Sequence, residues 1–184
     1  MPLASLFRRN PHRAAAHALY GAIVARARDP AFFLALSVPD TLDGRFELIA
    51  LHAFLVLNRL KADHAATAAL AQELFDTMFA DLDRGLREMG AGDLGVGRRV
   101  KNMAKGFYGR IVAYEQGLAA SDDVLAAALR RNLYGTVIPP EDSAAAVARY
   151  TRREAAALAA QPVSELLSGR VKFELEVSEN ETFS

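Results

Sequence analysis

Of the residue types in this sequence, histidine could support the most kinds of chemistry, because imidazole can bind a metal, hold a haem iron or transfer protons near neutral pH. The four histidines are His12, His17, His52 and His64. No two lie four residues apart and none follows a glutamate by three, so the spacings that pair metal ligands on one helical face are missing. His52 lies in an apolar segment, where a core histidine bonded to a neighbour is commoner than a ligand. We therefore predict no metal site and no cofactor.

Three aspartates, Asp76, Asp81 and Asp83, resemble at first sight the acidic magnesium cluster of a helical prenyl-transferring enzyme. On a helix, the five-residue step from Asp76 to Asp81 corresponds to a rotation of ~140°, so these two carboxylates do not share a face. A second acidic helix motif, which would complete such a site, is also missing from the sequence. We interpret the three aspartates as solvated surface charges.

Glycines between two helical patterns formally match a nucleotide-binding motif, with Gly90, Gly92 and Gly95 in the dinucleotide spacing. That motif requires a preceding strand in a βαβ unit, whereas a helical pattern precedes these glycines. The following Arg98-Arg99 pair also lacks the lysine and hydroxyl of a P-loop. We predict a connection between two helices instead.

Nucleophilic catalysis has no clear basis in the sequence either. The chain has no cysteine, which excludes disulfides, thiolate nucleophiles and thiolate metal ligands. Serines, histidines and aspartates occur, but without a nucleophile elbow or a comparable local motif. These observations favour a binding or chaperone protein over an enzyme.

Candidate partner-binding residues lie on two helical segments. Arg98, Lys101, Lys105 and Tyr108 share one face of a predicted helix, opposite an apolar stripe that runs from Val96 to Leu118. A mixed basic and aromatic face suits a nascent chain, a partner helix or ribosomal RNA, and ordinary solvated helix surface is an equally good interpretation. The second candidate is the segment Arg130, Arg131 and Asn132.

Composition sets further limits. The chain has 184 residues, 52% of them hydrophobic, which suits one domain with a real core. Lys plus Arg equals Asp plus Glu at 22 each, so no overall field attracts DNA, other nucleic acid or anionic lipid, and any charge-based contact must be a local patch. The start MPLASLFRRNPHR lacks the long apolar core of a secretory signal, so we expect a cytoplasmic protein. The apolar stretch 48–57 is well short of the ~20 residues that span a bilayer.

Hydrophobic periodicity predicts an all-α fold, a single compact bundle of about six or seven helices. Helices are expected over about 11–28, 40–62, 65–90, 96–118, 121–134, 143–161 and the turn 163–168. The helix ending near Ala62 is apolar in nearly every direction, so we expect it at the centre, with Asp40 as its cap and with Arg45 and Glu47 at its rim. Ser121 is expected to cap a later helix, and Arg152 is expected to point outward from the Ala-rich one.

Three regions follow from this pattern: a basic lead over 1–10, a helical domain over 11–169 and a tail over 170–184. In the tail, Val171, Phe173, Leu175 and Val177 alternate with charged residues, which is a strand pattern. It pairs with another chain, lies along the bundle or stays disordered, and its acidic end favours disorder.

Four segments together resemble a known family. In chain order, VPDTLDGRFELIALH, LFDTMFADLDRGLREMG, KGFYGRIVAYEQGL and ALRRNLYG resemble the ubiquinol–cytochrome c chaperone family, which assists assembly of the cytochrome bc complex. The resemblance covers roughly residues 12–170, and none of these segments is a catalytic signature.

The resemblance implies a chaperone for biogenesis of ubiquinol–cytochrome c reductase. Its implied partner is newly made cytochrome b, or another bc complex subunit, met at the inner face of the inner membrane through peripheral contact. The ribosome and a second assembly factor are further candidate partners.

Two other readings of the sequence stay open. A helical enzyme or bundle that binds haem or an isoprenoid would use His52 or the helix of Asp76, and a Soret band or turnover of a prenyl diphosphate would reveal it. A helical adaptor with another protein client is the third reading, which loss of the bc complex on gene deletion would exclude.

Overall fold

The computed structural model describes residues 11–88, 90, 93–140 and 142–173, and every one of its regular elements is helical. The predicted all-α bundle is confirmed. Among the described residues the helices are α1 Arg13–Ala27, α2 Ala31–Leu34, α3 Leu42–Ala62, α4 His64–Glu88, α5 Asp93–Ala119, α6 Asp122–Leu133, α7 Ser143–Ala160 and α8 Val163–Leu167. Six of them are long, and α2 and α8 are short.

Helix α3 lies at the centre of the bundle, as its apolar pattern predicts. It packs against α1, α4, α5, α6 and α7, and six consecutive residues, 51–56, are buried. Two clusters of apolar side chains flank it, one mainly with α2, α6 and α7, the other mainly with α1 and α4. Phe54 is 1% exposed and its ring lies 5.4 Å from that of Tyr114 on α5.

The cap of α3 differs from the prediction. Thr41, and not Asp40, is the N-cap residue, and its Oγ1 accepts a bond from the Gly44 N–H at 3.1 Å. Asp40 lies one residue too early to reach that amide, and its carboxylate accepts from Arg45 at 2.6 Å. Ser121 is the N-cap of α6, but its side chain makes no capping bond.

Arg152 does not simply point outward from α7. Its guanidinium donates to the carbonyl oxygens of Gly117 and Leu118 at 3.2 and 2.7 Å and to that of Ala120 at 3.0 Å. These groups belong to the C-terminal end of α5, where carbonyls lack helical partners and carry partial negative charge. Arg152 also pairs with Asp122 at 2.7 Å, so one side chain joins α5, α6 and α7.

The connection between α4 and α5 includes Gly90, whose φ of 81° is in the left-handed region that suits a helix C-terminus. The element before this motif is helix α4, which ends at Glu88, and not a strand. Residues 91 and 92 lie outside the described residues, and Gly95, also expected in this connection, belongs instead to α5.

Residues 170–173 lie along the bundle, which is one of the three alternatives for the tail. The Gln161 amide holds the backbone of Lys172 from both sides, donating to its carbonyl at 2.6 Å and accepting from its N–H at 3.0 Å. Val171 and Phe173 pack against both apolar clusters. The predicted lead over 1–10 and the tail from 174 to 184 lie outside the described residues.

Candidate partner-binding site

The predicted basic face is an exposed stripe on α5. Arg98, Lys101, Lys105 and Tyr108 are all exposed, and Tyr108 reaches 57% exposure. The opposite side of α5 carries the buried residues that fix its orientation. We call these four residues the α5 stripe; it extends for ~15 Å along the helix axis.

The three cations of the α5 stripe differ from other cations of α5 in their surroundings. In the part of the chain described, no carboxylate forms an ion pair with Arg98, Lys101 or Lys105. By contrast, Arg99 lies 3.7 Å from Asp43, and Arg110 pairs with Glu47. The positive charge of the stripe is therefore available to an incoming partner.

An apolar groove lies beside the stripe, between α3, α4 and α5. It has a volume of about 360 Å³, and the Phe75 and Tyr108 rings in its wall lie 5.4 Å apart. Lys61 and Glu115, which also line it, form an ion pair at 2.7 Å. We call this cavity the aromatic groove. Its other apolar lining residues are Phe54, Leu57, Ala68, Ala71 and Ile111.

Arg130, Arg131 and Asn132 form a separate patch at the end of α6. Arg130 and Arg131 are exposed and Asn132 is half-buried. Arg131 and Asn132 line a second groove of about 650 Å³ with α3 and α5, and no residue of the α5 stripe lines it. The seven predicted residues therefore form two surfaces on different flanks of α5, not one.

A half-buried ion pair forms part of this second groove. Glu47, predicted at the rim of α3, is only 6% exposed, which corrects that prediction. Arg110 Nε donates to Glu47 Oε2 at 2.5 Å, and Arg110 Nη2 donates to Glu47 Oε1. Burial raises the pKa of Glu47, and Arg110 opposes that shift. Sequence spacing could not show this, because Arg110 lies 63 residues away on another helix. Arg45 is exposed, as predicted.

His52 belongs to a buried chain of hydrogen bonds. Its Nδ1 lies 2.7 Å from the Leu48 carbonyl oxygen, which can only accept, so Nδ1 carries the proton. Nε2 then accepts from the Tyr150 hydroxyl at 2.8 Å, and Arg26 Nε donates to that hydroxyl oxygen at 3.1 Å. Desolvation lowers the pKa of His52 to about 4. Both ring nitrogens thus have partners within the protein, and a metal or haem iron would have to displace one of them.

The aspartates of α4 have separate surroundings. Asp76 accepts from Gln72 at 2.9 Å, Asp81 accepts from the Tyr20 hydroxyl at 2.9 Å, and Asp83 pairs with Arg87 at 2.7 Å. Across the described ranges, no group of three metal-ligating side chains is close enough to hold an ion. None of the described helices is both long and apolar enough to cross a membrane.

The chain matches one family along most of its length. Residues 34–173 match the family described as ubiquinol-cytochrome C chaperone. This range includes α3 to α8, the α5 stripe and residues 170–173 beside His52.

Two curated relatives and one solved structure are similar to the chain. It is 29% identical over 140 residues to "Ubiquinol-cytochrome-c reductase complex assembly factor 1" of Xenopus laevis, covering 76% of this chain and 70% of that protein. It is 32% identical over 110 residues to "Protein CBP3, mitochondrial" of Saccharomyces cerevisiae, covering 56% of this chain but only 32% of the yeast protein.

The solved structure extends the similarity to the whole fold. The crystal structure of the Cbp3 homolog from Brucella abortus has a TM-score of 0.81 and 38% identity, and the match covers 96% of this chain and 98% of that one. With the family match over residues 34–173, this agreement leaves one conclusion: the chain belongs to the ubiquinol-cytochrome C chaperone family.

Proposed function

We propose that this protein is an assembly chaperone for ubiquinol–cytochrome c reductase and that it binds newly made cytochrome b. The observation that carries the proposal is the α5 stripe beside the aromatic groove, in a chain whose family and relatives are named for this assembly. A chaperone needs an accessible surface for its client and no reacting group. The stripe and groove have that character.

The stripe and the groove together suit a client segment that is apolar in one part and acidic in another. Tyr108 offers an exposed ring whose apolar body can be covered while its hydroxyl stays in water. Arg98, Lys101 and Lys105 lie on the same helix face and would attract acidic residues that flank the apolar segment. Membrane proteins before assembly expose apolar segments that need such cover.

The place of action follows from the client. Cytochrome b is made at the inner face of the inner membrane, so we propose that this protein works there as a peripheral protein. The ribosome and a second assembly factor are the further partners that such a position allows. The patch of Arg130, Arg131 and Asn132 is the candidate contact for one of them.

The test is charge reversal on the α5 stripe, with Lys101→Glu and Lys105→Glu combined. Capture of cytochrome b from solubilised membranes should weaken by about tenfold or more, because the acidic flank of the client would now be repelled. The melting temperature should hardly change, because both lysines are exposed.

The matched control combines Arg13→Glu and Arg84→Glu, which change the net charge equally. Both arginines lie in a groove between α1 and α4, away from the stripe. This control should capture cytochrome b like the wild type. If both double variants captured cytochrome b equally at equal abundance, the α5 stripe would not be the surface that binds the client.

A further inference from the structure

Four large aliphatic side chains are exposed at helix ends and in one connection: Leu34 ends α2, Leu42 begins α3, and Val137 and Ile138 lie between α6 and α7. Ile138 is 92% exposed and Leu34 is 83% exposed, and Val137 and Leu42 are 50% and 48% exposed. Scattered exposed apolar residues are ordinary, but a concentration of them marks an interaction surface. We call these four residues the aliphatic end.

The connection between α2 and α3 lies beside the connection after α6. The Tyr134 hydroxyl, at the end of α6, donates to the Leu36 carbonyl between α2 and α3 at 2.7 Å. Pro39 and Thr41 line the same groove as Val137. The four aliphatic side chains therefore belong to one end of the molecule, although about a hundred residues separate the two segments along the chain.

The connection after α6 is held in place rather than loose. Gly135 has a φ of 58°, and the Val137 N–H donates to the Tyr134 carbonyl at 3.0 Å, which closes a turn. Pro139 is buried and Pro140 follows it, so Ile138 has little freedom to fold back onto the core. The backbone thus keeps Val137 and Ile138 in contact with water. Exposing these apolar side chains costs free energy, and a partner that covered them would remove that cost.

The groove beside the aliphatic end is lined by charged and amide side chains as well as by apolar ones, and it has one more cation than carboxylate. Arg99, Arg110 and Arg131 line it, against the carboxylates of Asp43 and Glu47. Arg110 is neutralised by Glu47, and Arg99 lies 3.7 Å from Asp43, so Arg131 supplies the excess positive charge. Asn102 and Asn132 add amide donors to the same groove.

We infer that the aliphatic end docks on the surface of a membrane that contains anionic phospholipid. Val137, Ile138 and Leu34 enter the boundary between headgroups and acyl chains, and Arg131 lies beside lipid phosphates. This inference rests on the peripheral location in the proposed function.

The shape of the aliphatic end favours lipid over protein. A protein partner anchors side chains in well-packed apolar pockets. Here Val137 and Ile138 protrude from a turn, and the groove that Val137 lines holds the guanidinium of Arg131, which matches the acyl and phosphate layers of a bilayer surface.

The test is flotation of the full chain with vesicles. One set contains phosphatidylcholine alone, and the other contains phosphatidylcholine and phosphatidylglycerol in a ratio of about 7:3. The wild type should float with the anionic vesicles and less with the neutral ones. Val137→Ser combined with Ile138→Ser should lower binding to the anionic vesicles by about tenfold, because two inserted side chains are lost.

The matched control combines Val112→Ser and Val124→Ser, which remove two valines outside the aliphatic end that are 52% and 46% exposed. It should float like the wild type. Failure of the wild type to float, or equal flotation of both double variants, would overturn the inference. So would normal flotation of the Val137→Ser, Ile138→Ser variant together with loss of cytochrome b capture, which would make this end a protein-docking surface.

The flotation test is independent of the proposed client. The variant with Lys101→Glu and Lys105→Glu should still float, because its changes lie on the α5 stripe. Flotation lost in that variant, and kept when Val137 and Ile138 are replaced, would place the membrane contact on the stripe and overturn the inference. Normal flotation without cytochrome b capture would contradict the proposed function alone.

Discussion

His52 shows how a single buried group can couple the stability of this fold to pH. Its pKa is lowered to about 4 by burial, whereas in the unfolded chain it would be close to 6.5. At a pH between these two pKa values, His52 is therefore protonated in the unfolded state and neutral in the folded state. Stability is unaffected by this group above about pH 6.5 and falls as the pH drops from there towards 4, by on the order of 3 kcal/mol in total.

The prediction is that His52→Gln removes this part of the acid sensitivity. Thermal unfolding measured between pH 7 and pH 5 should show a steeper loss of stability in the wild type than in the variant, because Gln does not titrate. The exposed His64 offers a control, since His64→Gln should keep the wild-type slope. Identical slopes in wild type and His52→Gln would mean that His52 is not the group responsible.

At this scale the sequence predicts the environment of a residue better than its partners. An apolar helix placed His52 in the core, but Tyr150 lies 98 residues away and no spacing rule connects them. Glu47 is buried because Arg110 pairs with it, and an isolated carboxylate in that position would be expected at the rim. Thr41 and Asp40 are both good cap residues, and only the path of the backbone decides between them.

Among the elements, α3 contributes most to the core, and Phe54 tests that role. Phe54→Ala should lower the free energy of unfolding by on the order of 3–5 kcal/mol, because a 1% exposed ring packed against Tyr114 would leave a cavity. Thermal or denaturant unfolding measures the change. As a control, Val124→Ala on the exposed face of α6 should change stability little. An unchanged melting temperature for Phe54→Ala would contradict the central role of α3.

Helices could be predicted from the sequence because their periodicity is local, whereas the contacts between elements could not. The position of the α5 stripe follows from the spacing of the apolar residues on the opposite side of α5, and in the structure the stripe faces outward. The role of Arg152 at the end of α5 depends on how α7 crosses it. The docking of residues 170–173 depends on Gln161 and on the ring of Phe173, which lies 5.4 Å from that of His52.

Because the whole molecule has zero net charge, electrostatic attraction to a partner must come from local surfaces. The α5 stripe and the aliphatic end are two such surfaces, and no residue of the stripe lines the groove that Val137 lines. A protein that contacts lipid with one surface and a membrane-protein client with the other would hold that client close to the bilayer into which it assembles. The membrane contact rests on the peripheral location in the proposed function, but flotation and cytochrome b capture test the two proposals separately.

Deletion of the gene tests the proposed function at this scale. We expect a selective loss of the cytochrome bc complex, measured as cytochrome b absorbance and as assembled complex in native gels, because the client would lack its cover before assembly. Other membrane complexes should keep their normal levels. Expression of the wild type should restore the complex, and the variant with Lys101→Glu and Lys105→Glu should restore less of it at equal abundance. A normal amount of bc complex in the deletion strain would instead indicate a helical adaptor with another client.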